Sequence, residues 1–480
     1  LEFRRVLFRS ESMLRDLSFR CPGWAGALAA CLCLLCGGPG TRLVAAGKDS
    51  LTWTKNPDRV TADIGGTPLD EVLRLVSDAT GWQVFVEPNA RHITNVKFAD
   101  RPPSEALKLL LGDVSFALIP QTNGPNRLLV FKTQVGEATQ LVAGRKGREE
   151  TSKPIRDEVV VTLKKGAKID ELAKKLGATV IGRIDELNTY RLKFASAEEA
   201  EAARKALAQN EDVASIDSNF NTSRPENTNP VEFTNLGDNS LTPSSPDDCS
   251  KVTVGLIDTL VPKTGSPSDA FLLPAIDVAG STPAPAAGST PLHGESMFKT
   301  ILNGYQYSAK GATTAPFMIL PVNVYGPNEQ ATTFDVANGI YKAINAGAKI
   351  INLSLGGEGS SALLADIIAK GRAQDVIFIA AAGNQPVTTP TYPAALPGVV
   401  AVTASDRSGQ IASYANRGDF IDVIAPGTSI FSVEGQRWLS TGTSVSTAYV
   451  SGLAAALANP CNKSYGSVET QIRQNLKYQP

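Results

Sequence analysis

Val252-Thr253-Val254-Gly255-Leu256-Ile257-Asp258-Thr259 is a near-continuous apolar run that ends on a carboxylate. A strand that is apolar at odd and even positions alike is buried on both faces, as in a parallel sheet covered by helices. Comparable runs recur at 317–322, 350–353, 376–381 and 399–403, alternating with helical candidates at 333–346, 361–373 and 444–458. The expected class is therefore α/β, a parallel sheet with helices on both faces. In such sheets functional groups gather at the carboxyl ends of the strands. Asp258 closes the first run, Asn384 follows another through Gly383, and Ser444 opens the last helix. A helix N-terminus presents free N–H groups and a partial positive charge, and both favour an oxyanion beside Ser444.

A serine hydroxyl is a poor nucleophile near pH 7. It becomes useful when an imidazole removes its proton and a carboxylate orients that imidazole. The chain has two histidines, His92 and His293. His92 lies in the polar loop 88–92 and reads as an ordinary surface residue. His293 lies in Leu292-His293-Gly294, between Asp258 and Ser444 in chain order. Taken singly, Ser444 reads as a helix cap, Asp258 as a strand end and Ala380-Ala381-Ala382-Gly383-Asn384 as a strand ending in a turn. Their joint presence, in this order and on these elements, points to acyl transfer.

The last 230 or so residues resemble a subtilisin-family serine peptidase. Gly255-Leu256-Ile257-Asp258-Thr259 is similar to the motif of that family's catalytic aspartate, His293-Gly294 to that of its histidine, and Gly442-Thr443-Ser444 to that of its nucleophile. Ala382-Gly383-Asn384 is similar to the segment whose asparagine donates to the oxyanion. Asn352-Leu353-Ser354-Leu355-Gly356-Gly357 is similar to the segment that pairs with substrate; Ser354, Leu355, Gly356 and Gly383 are the implied substrate-binding residues. Tyr392-Pro393-Ala394, Ser413-Tyr414-Ala415-Asn416 and Ala425-Pro426-Gly427 also fit. The chain departs from the family where His293-Gly294 is followed by Glu295-Ser296-Met297-Phe298 rather than Thr-His-Val-Ala. It departs again where Val445-Ser446 replaces Met-Ala and the proline expected three residues after the nucleophile is missing. The resemblance implies no cofactor for the chemistry and no metal in the site. Structural calcium is common in the family, and the sequence singles out no ligands for it.

Upstream, residues 156–218 read as βαββαβ, the ferredoxin-like layout. The stripe Ile169, Leu172, Ala173, Leu176 ends at Gly177, and Ser196 with Glu199 forms a capping box before the helix 197–208. Directly before a subtilisin-like domain, this unit resembles the family's inhibitor-type propeptide, an intramolecular inhibitor of the peptidase. Residues 219–248, dense in Asn, Pro, Ser and Thr, read as an exposed linker that holds the processing site. Residues 47–134 read as a small α+β unit. A helix opens at Thr67-Pro68 with stripe Leu69, Val72, Leu73, Val76; a second runs from 104 to 111; strands fall at 82–86, 93–98, 115–119 and 127–132. It resembles the short N-terminal domain of secretins and TonB-dependent receptors, which implies an envelope partner. The charged stretch 135–155 reads as a linker.

The first methionine is Met13, and residues 1–12 read as a non-native leader. Arg15 and Arg20 precede an apolar stretch at 23–36 that is short for a bilayer, and Val44-Ala45-Ala46 offers a cleavage site. Residues 1–46 are thus expected to be leader plus signal peptide, with a secreted or periplasmic product. Leu28-Ala29-Ala30-Cys31 is an alternative lipid-attachment site, disfavoured because the apolar run continues past it. The mature chain keeps Cys249 and Cys461, which form one disulfide or remain two buried thiols. The nucleophile helix, at about 1.5 Å per residue, would bring Cys461 toward the start of the first strand beside Cys249. A net charge of −1, from 46 basic and 47 acidic residues, gives no reason to expect nucleic acid or an anionic membrane surface as partner. The reading is a secreted serine endopeptidase made as an autoinhibited precursor and acting on protein or peptide substrates. The alternative is an inactive peptidase-like binding protein of the envelope.

Overall fold

The computed structural model describes residues 49–480 apart from 56–57, 88–89, 120–125, 136–137, 139, 143–152, 224–227, 231–240, 245–251, 281–282, 284, 287–288, 311, 329, 459–463 and 480. The leader, the signal-peptide segment, Cys31, Cys249 and Cys461 lie outside the described residues.

The first unit comprises β1 (Ser50–Thr54), β2 (Arg59–Pro68), α1 (Leu69–Thr80), β3 (Gln83–Val86), β4 (Ile93–Arg101), α2 (Pro103–Leu111), β5 (Ser115–Ile119), β6 (Arg127–Phe131) and β7 (Gln140–Val142). They form two sheets, β1-β2-β4 and β5-β6-β3-β7, around Val72, Leu73, Val76, Leu107 and Leu110. Three expectations change here. Thr67 does not cap α1: β2 runs on through Pro68, and the Thr67 hydroxyl donates to Asp49. The stretch 135–155 is not all linker, because β7 pairs antiparallel with β3. His92 is no plain surface residue; its Nδ1 lies 3.0 Å from Asp113 Oδ1 and the side chain is mostly buried.

The second unit, β8 (Glu158–Leu163), α3 (Ile169–Leu176), β9 (Thr179–Ile184), β10 (Thr189–Lys193), α4 (Ala197–Leu207) and β11 (Val213–Asp217), has the expected βαββαβ order and an antiparallel sheet β11-β8-β10-β9. Ser196 Oγ accepts from Glu199 N at 3.2 Å, as the capping box predicts. Val159, Val161 and Leu192 face the two helices, whereas Val160 and Ile184 join Phe334 in a core of the next domain. A Cβ on Gly182 would stand 2.7 Å from the Phe334 ring, so glycine lets the sheet approach that closely.

The stretch 219–248 is not simply exposed linker. It contributes β12 (Asn221–Ser223), β13 (Thr228–Pro230) and β14 (Thr242–Pro243). The last domain contains β15 (Val252–Asp258), β16 (Ile276–Asp277), α5 (His293–Ser308), β17 (Thr314–Ala315), β18 (Phe317–Asn323), β19 (Gln330–Thr332), α6 (Thr333–Asn345), β20 (Ile350–Leu353), α7 (Ala362–Arg372), β21 (Ile377–Ala381), β22 (Val399–Ser405), β23 (Val423–Pro426), β24 (Thr428–Val433), β25 (Gln436–Thr441), α8 (Thr443–Leu457) and α9 (Tyr465–Asn475). β12 pairs with β19, β13 with β25 and β14 with β17.

Seven parallel strands run β16-β18-β15-β20-β21-β22-β23. Alternation within each strand feeds two cores. Val254 and Leu256 pack with Phe298, Ile301, Val445 and Ala448; Ile257 and Ile351 pack with Phe334, Ile340, Leu364 and Ile368. This is the α/β sheet with helices on both faces that the apolar runs predict. Among the described residues, no helix is long and apolar enough to cross a membrane.

Candidate active site

Asp258 is the last residue of β15, and its side chain is 1 % exposed. Its Oδ1 accepts from Thr259 N at 2.7 Å. Next to it begins α5, whose first residue is His293. His293 Nδ1 lies 2.8 Å from Asp258 Oδ1 and 2.9 Å from Oδ2. With Nδ1 held by the carboxylate, the other ring nitrogen is the one available for proton transfer. The glycine after His293 is required by space. A Cβ on Gly294 would sit 2.5 Å from the Thr259 carbonyl, and Gly294 N donates to Thr259 Oγ1 at 2.8 Å.

Ser444 lies in the first turn of α8, with Gly442 at φ 150° just before it. Helices α5 and α8 pack closely through Gly304 and Gly452, where a Cβ on Gly304 would stand 2.5 Å from Tyr449 O. Ser444 Oγ donates to the Ser354 carbonyl at 3.1 Å, and Ser354 Oγ lies 3.0 Å from both Ser444 O and Asn352 Oδ1. No hydrogen bond joins Ser444 Oγ to His293 among the described residues. In this state the hydroxyl is parked on the strand segment that precedes Leu355 and Gly356.

Asn384 follows β21. Its Oδ1 accepts from Thr443 N at 2.8 Å and from Thr443 Oγ1 at 3.0 Å, so its amide nitrogen is the end left free to donate elsewhere. The loop that carries it is clamped by Asn416, a fully buried residue. Asn416 Nδ2 donates to Ala382 O at 2.7 Å, its Oδ1 accepts from Gln385 N at 2.9 Å, and its N donates to Gly383 O at 2.9 Å. Gly383, at φ 107°, has no room for a Cβ against Asn416 Nδ2 at 2.6 Å. Sequence reasoning placed Asn416 only within a matching stretch; its clamping role follows from full burial of an amide that must then satisfy every polar atom locally. Ser354 and Leu355 are buried, and Gly357 pairs with Tyr392 in both directions, at 3.0 and 2.7 Å.

Glu295, two residues after His293, is 3 % exposed, and its Oε1 has no hydrogen-bond partner. Burial pushes its carboxyl from 4.5 up to about 7; Lys299 opposes that shift, and Glu434 and Asp269 add to it. The sequence flagged this position as a departure without showing that the carboxyl is buried. Among the described residues, no three His, Cys, Asp or Glu side chains gather as a metal cluster.

The second unit touches the last domain through polar groups. Asn219 Oδ1 accepts from Thr333 Oγ1 and Phe334 N, both at 3.1 Å, at the start of α6. Asp217 Oδ2 accepts from Ser361 Oγ at 2.7 Å and Leu363 N at 2.9 Å, at the start of α7. Arg191 forms a fork on Glu158 at 2.8 and 2.9 Å and reaches Asp335 at 3.4 Å.

Residues 249–477 match the description of the subtilase family, and residues 141–219 match that of the fervidolysin N-terminal prodomain. A thermophilic serine proteinase of Bacillus sp. (strain AK1) is 30 % identical over 335 residues, 67 % of this chain and 82 % of that protein. Thermitase of Thermoactinomyces vulgaris is 37 % identical over 151 residues, which are 31 % of this chain and 54 % of thermitase. Fervidolysin from Fervidobacterium pennivorans, described as a keratinolytic enzyme related to subtilisin, superposes with a TM-score of 0.47. It is 19 % identical, over 63 % of this chain and 55 % of its own. The chain belongs to the subtilase family: it is a serine endopeptidase with a fervidolysin-like prodomain ahead of the peptidase domain. The match to the prodomain starts at 141 rather than 156, so it takes in the last two residues of β7 and most of the stretch read as linker. A prodomain and a protease domain in one chain fit an intramolecular inhibitor and protein substrates.

Proposed function

We propose that this endopeptidase cuts peptide bonds with Ser444 as nucleophile, His293 as base and Asp258 as the group that orients the ring. The observation that carries this reading is the buried Asp258–His293 pair, with both carboxylate oxygens within 2.9 Å of Nδ1, beside the opening turn of α8. Ser444 Oγ leaves the Ser354 carbonyl, turns to the free nitrogen of His293 and attacks the substrate carbonyl. The Oγ–C bond forms as the proton passes to the ring. The tetrahedral oxyanion takes hydrogen bonds from Asn384 Nδ2 and Ser444 N. Collapse breaks the C–N bond, and the amine leaves with the proton from His293. Water then attacks the acyl ester by the same base and restores Ser444. Ser354, Leu355, Gly356 and Gly383 line the acyl side of the cleft. The reaction needs no cofactor.

The chain is further read as a secreted or periplasmic precursor. Its signal peptide ends at Ala46, the prodomain covers the peptidase until a cut within 219–248, and Cys249 pairs with Cys461. Residues 47–134 are read as a secretin- or TonB-receptor-like unit that docks an envelope partner. A second reading, an inactive peptidase-like binding protein, is favoured by one observation: Ser444 is bonded to Ser354 rather than to His293.

A fluorophosphonate probe separates the two, because only an activated serine reacts. Labelling of the processed chain, absent in Ser444→Ala together with loss of precursor cleavage, is the expected result. An unlabelled processed chain, or Ser444→Ala processed to the same size, would reject self-cleavage through Ser444.

A further inference from the structure

The inference rests on the proposed endopeptidase reading and concerns the substrate half that leaves as the amine. A cavity of about 390 Å³ opens beside Asn384, lined by Asn384, Gln385 and Arg417 from the peptidase domain and by Arg74, Arg91 and Glu87 from the N-terminal unit, among others. It takes in Asn384 but none of Ser354, Leu355 or Gly356, so it borders the proposed oxyanion donor and is distinct from the segment read as the acyl side.

Its carboxylates are already engaged. Asp70 pairs with Arg74 at 3.4 Å, and Glu87 accepts from Lys132 N at 2.6 Å and Thr133 N at 2.9 Å. Arg74 is also spent, held by Asp70 and Glu71 and donating to Gln385 O at 3.4 Å. His92 is paired with Asp113.

Two cations remain. Arg91 is exposed and has no ion pair among the described residues. Arg417 is half-buried and, among the described residues, meets no carboxylate, donates one 3.3 Å bond from Nη2 to Ser413 O, and keeps a buried Nε without a partner. A buried guanidinium nitrogen without an acceptor is costly, and a carboxylate matches the geometry of its fork.

We propose that Arg417, with Arg91 as a second cation from the N-terminal unit, forms a subsite for an acidic side chain on the leaving-group side of the scissile bond. The endopeptidase then prefers Asp or Glu just after the cut. The surface is polar and charged, and the preference is expected to weaken with salt.

The test uses the chain after self-cleavage, with the N-terminal unit, which lies upstream of the proposed cut, still docked on the peptidase domain as co-elution of the two pieces shows; loss of that unit on cleavage overturns the part assigned to Arg91. Two quenched-fluorescent peptides, amidated at the C-terminus, differ only by Glu or Gln at the first two leaving-group positions. Amidation removes the terminal carboxylate, so a preference reports the side chain. At low salt the Glu/Gln ratio of kcat/KM is expected to be about tenfold, shrinking severalfold at 0.5 M salt. Arg417→Gln and Arg91→Gln should each lower that ratio by about threefold or more, and Arg417→Lys should retain part of it. The ratio does not depend on how much active enzyme is present, so a variant that folds poorly still reports. A wild-type ratio near one, or an unchanged ratio in Arg417→Gln, overturns the proposal. A fall in Arg417→Gln with none in Arg91→Gln overturns the part assigned to the N-terminal unit. If neither peptide is cut and Ser444 takes no fluorophosphonate, the endopeptidase mechanism itself fails, and this subsite with it.

Discussion

Two pairs of helices in the peptidase domain begin in different ways. α5 opens on His293 and α8 carries Ser444 in its first turn, and an early N–H group of each is met by a residue of the same domain: Thr259 Oγ1 takes Gly294 N, and Asn384 Oδ1 takes Thr443 N. α6 and α7 carry no catalytic residue, and their starts are shared with the prodomain through Asn219 and Asp217. An uncapped helix start leaves several N–H groups without partners. The starts that hold the proposed catalytic residues therefore take no cap from the prodomain, whereas α6 and α7 add prodomain acceptors to their own caps, Thr332 and Ser361. Cutting the prodomain away should leave the site's geometry in place and remove support from α6 and α7.

The largest effect tests the completeness of the α8 start. Asn384→Ala removes the proposed oxyanion donor and the acceptor of Thr443 N together. We expect kcat to fall by about 10²–10³, a magnitude established in subtilisin itself, the type member of this family, with KM nearly unchanged. Steady-state kinetics of the processed enzyme would show it. Equal effects on kcat and KM would mean that Asn384 holds α8 but does not meet the oxyanion.

The α5 start carries a cost that the α8 start lacks. Glu295 is buried within one turn of His293 with its carboxyl raised to about 7. A carboxyl raised in the folded state favours folding while it stays protonated. Its contribution is complete below about 4.5, the unfolded value, and is lost as pH rises through 7. Gln cannot ionise, so Glu295→Gln should gain on the parent as pH rises from 4.5 to 9, by on the order of 3 kcal/mol at most. Denaturant unfolding in a Ser444→Ala background, which prevents autolysis, measures this difference. A gap independent of pH would mean that Glu295 is charged in the fold.

How much of this was legible depended on period and on context. Five of the seven strands of the main sheet, β15, β18, β20, β21 and β22, read directly from apolar runs, because burial on both faces leaves little else; the two outer strands, β16 and β23, do not. Thr333 and Ser361 sit at the predicted helix starts, and Ser196 caps as its spacing suggests. α5 was missed as a helix: it opens on His293-Gly294-Glu295 and buries nearly every side of its first half, so no polar stripe marks it. β2 was legible but unread, since Val60, Ala62 and Ile64 alternate with polar residues at the strand period, whereas the three residues of β7 give no period. The pairing of Asp258 with His293 was expected from motif order. The parking of Ser444 on Ser354 was not, since a rotamer choice among neutral acceptors leaves no mark in sequence. The caps from Asp217 and Asn219 lie across more than 110 residues of chain, and only the docked prodomain brings them together.

Those caps give the smallest and most selective effect. Asp217→Ala removes one acceptor of two bonds at the start of α7, and a lost cap costs about 1 kcal/mol. Asn219→Ala should cost more, because Asn219 Nδ2 also donates to Glu158 Oε2 at 2.8 Å, and the buried Glu158 carboxylate would lose a donor. The two side chains serve different helices, so the double variant should be close to the sum of the singles. Unfolding of the Ser444→Ala precursor reads these losses. In the processed enzyme, made without Ser444→Ala, neither substitution should change kcat/KM, because both residues belong to the prodomain that is cut away. A precursor that loses stability while the processed enzyme keeps its rate would place the prodomain's role in building the fold. A fall in both would show that a fault introduced at the starts of α6 and α7 while the precursor folds persists at the site after the prodomain has gone, and the distinction between the two pairs of helices would not hold.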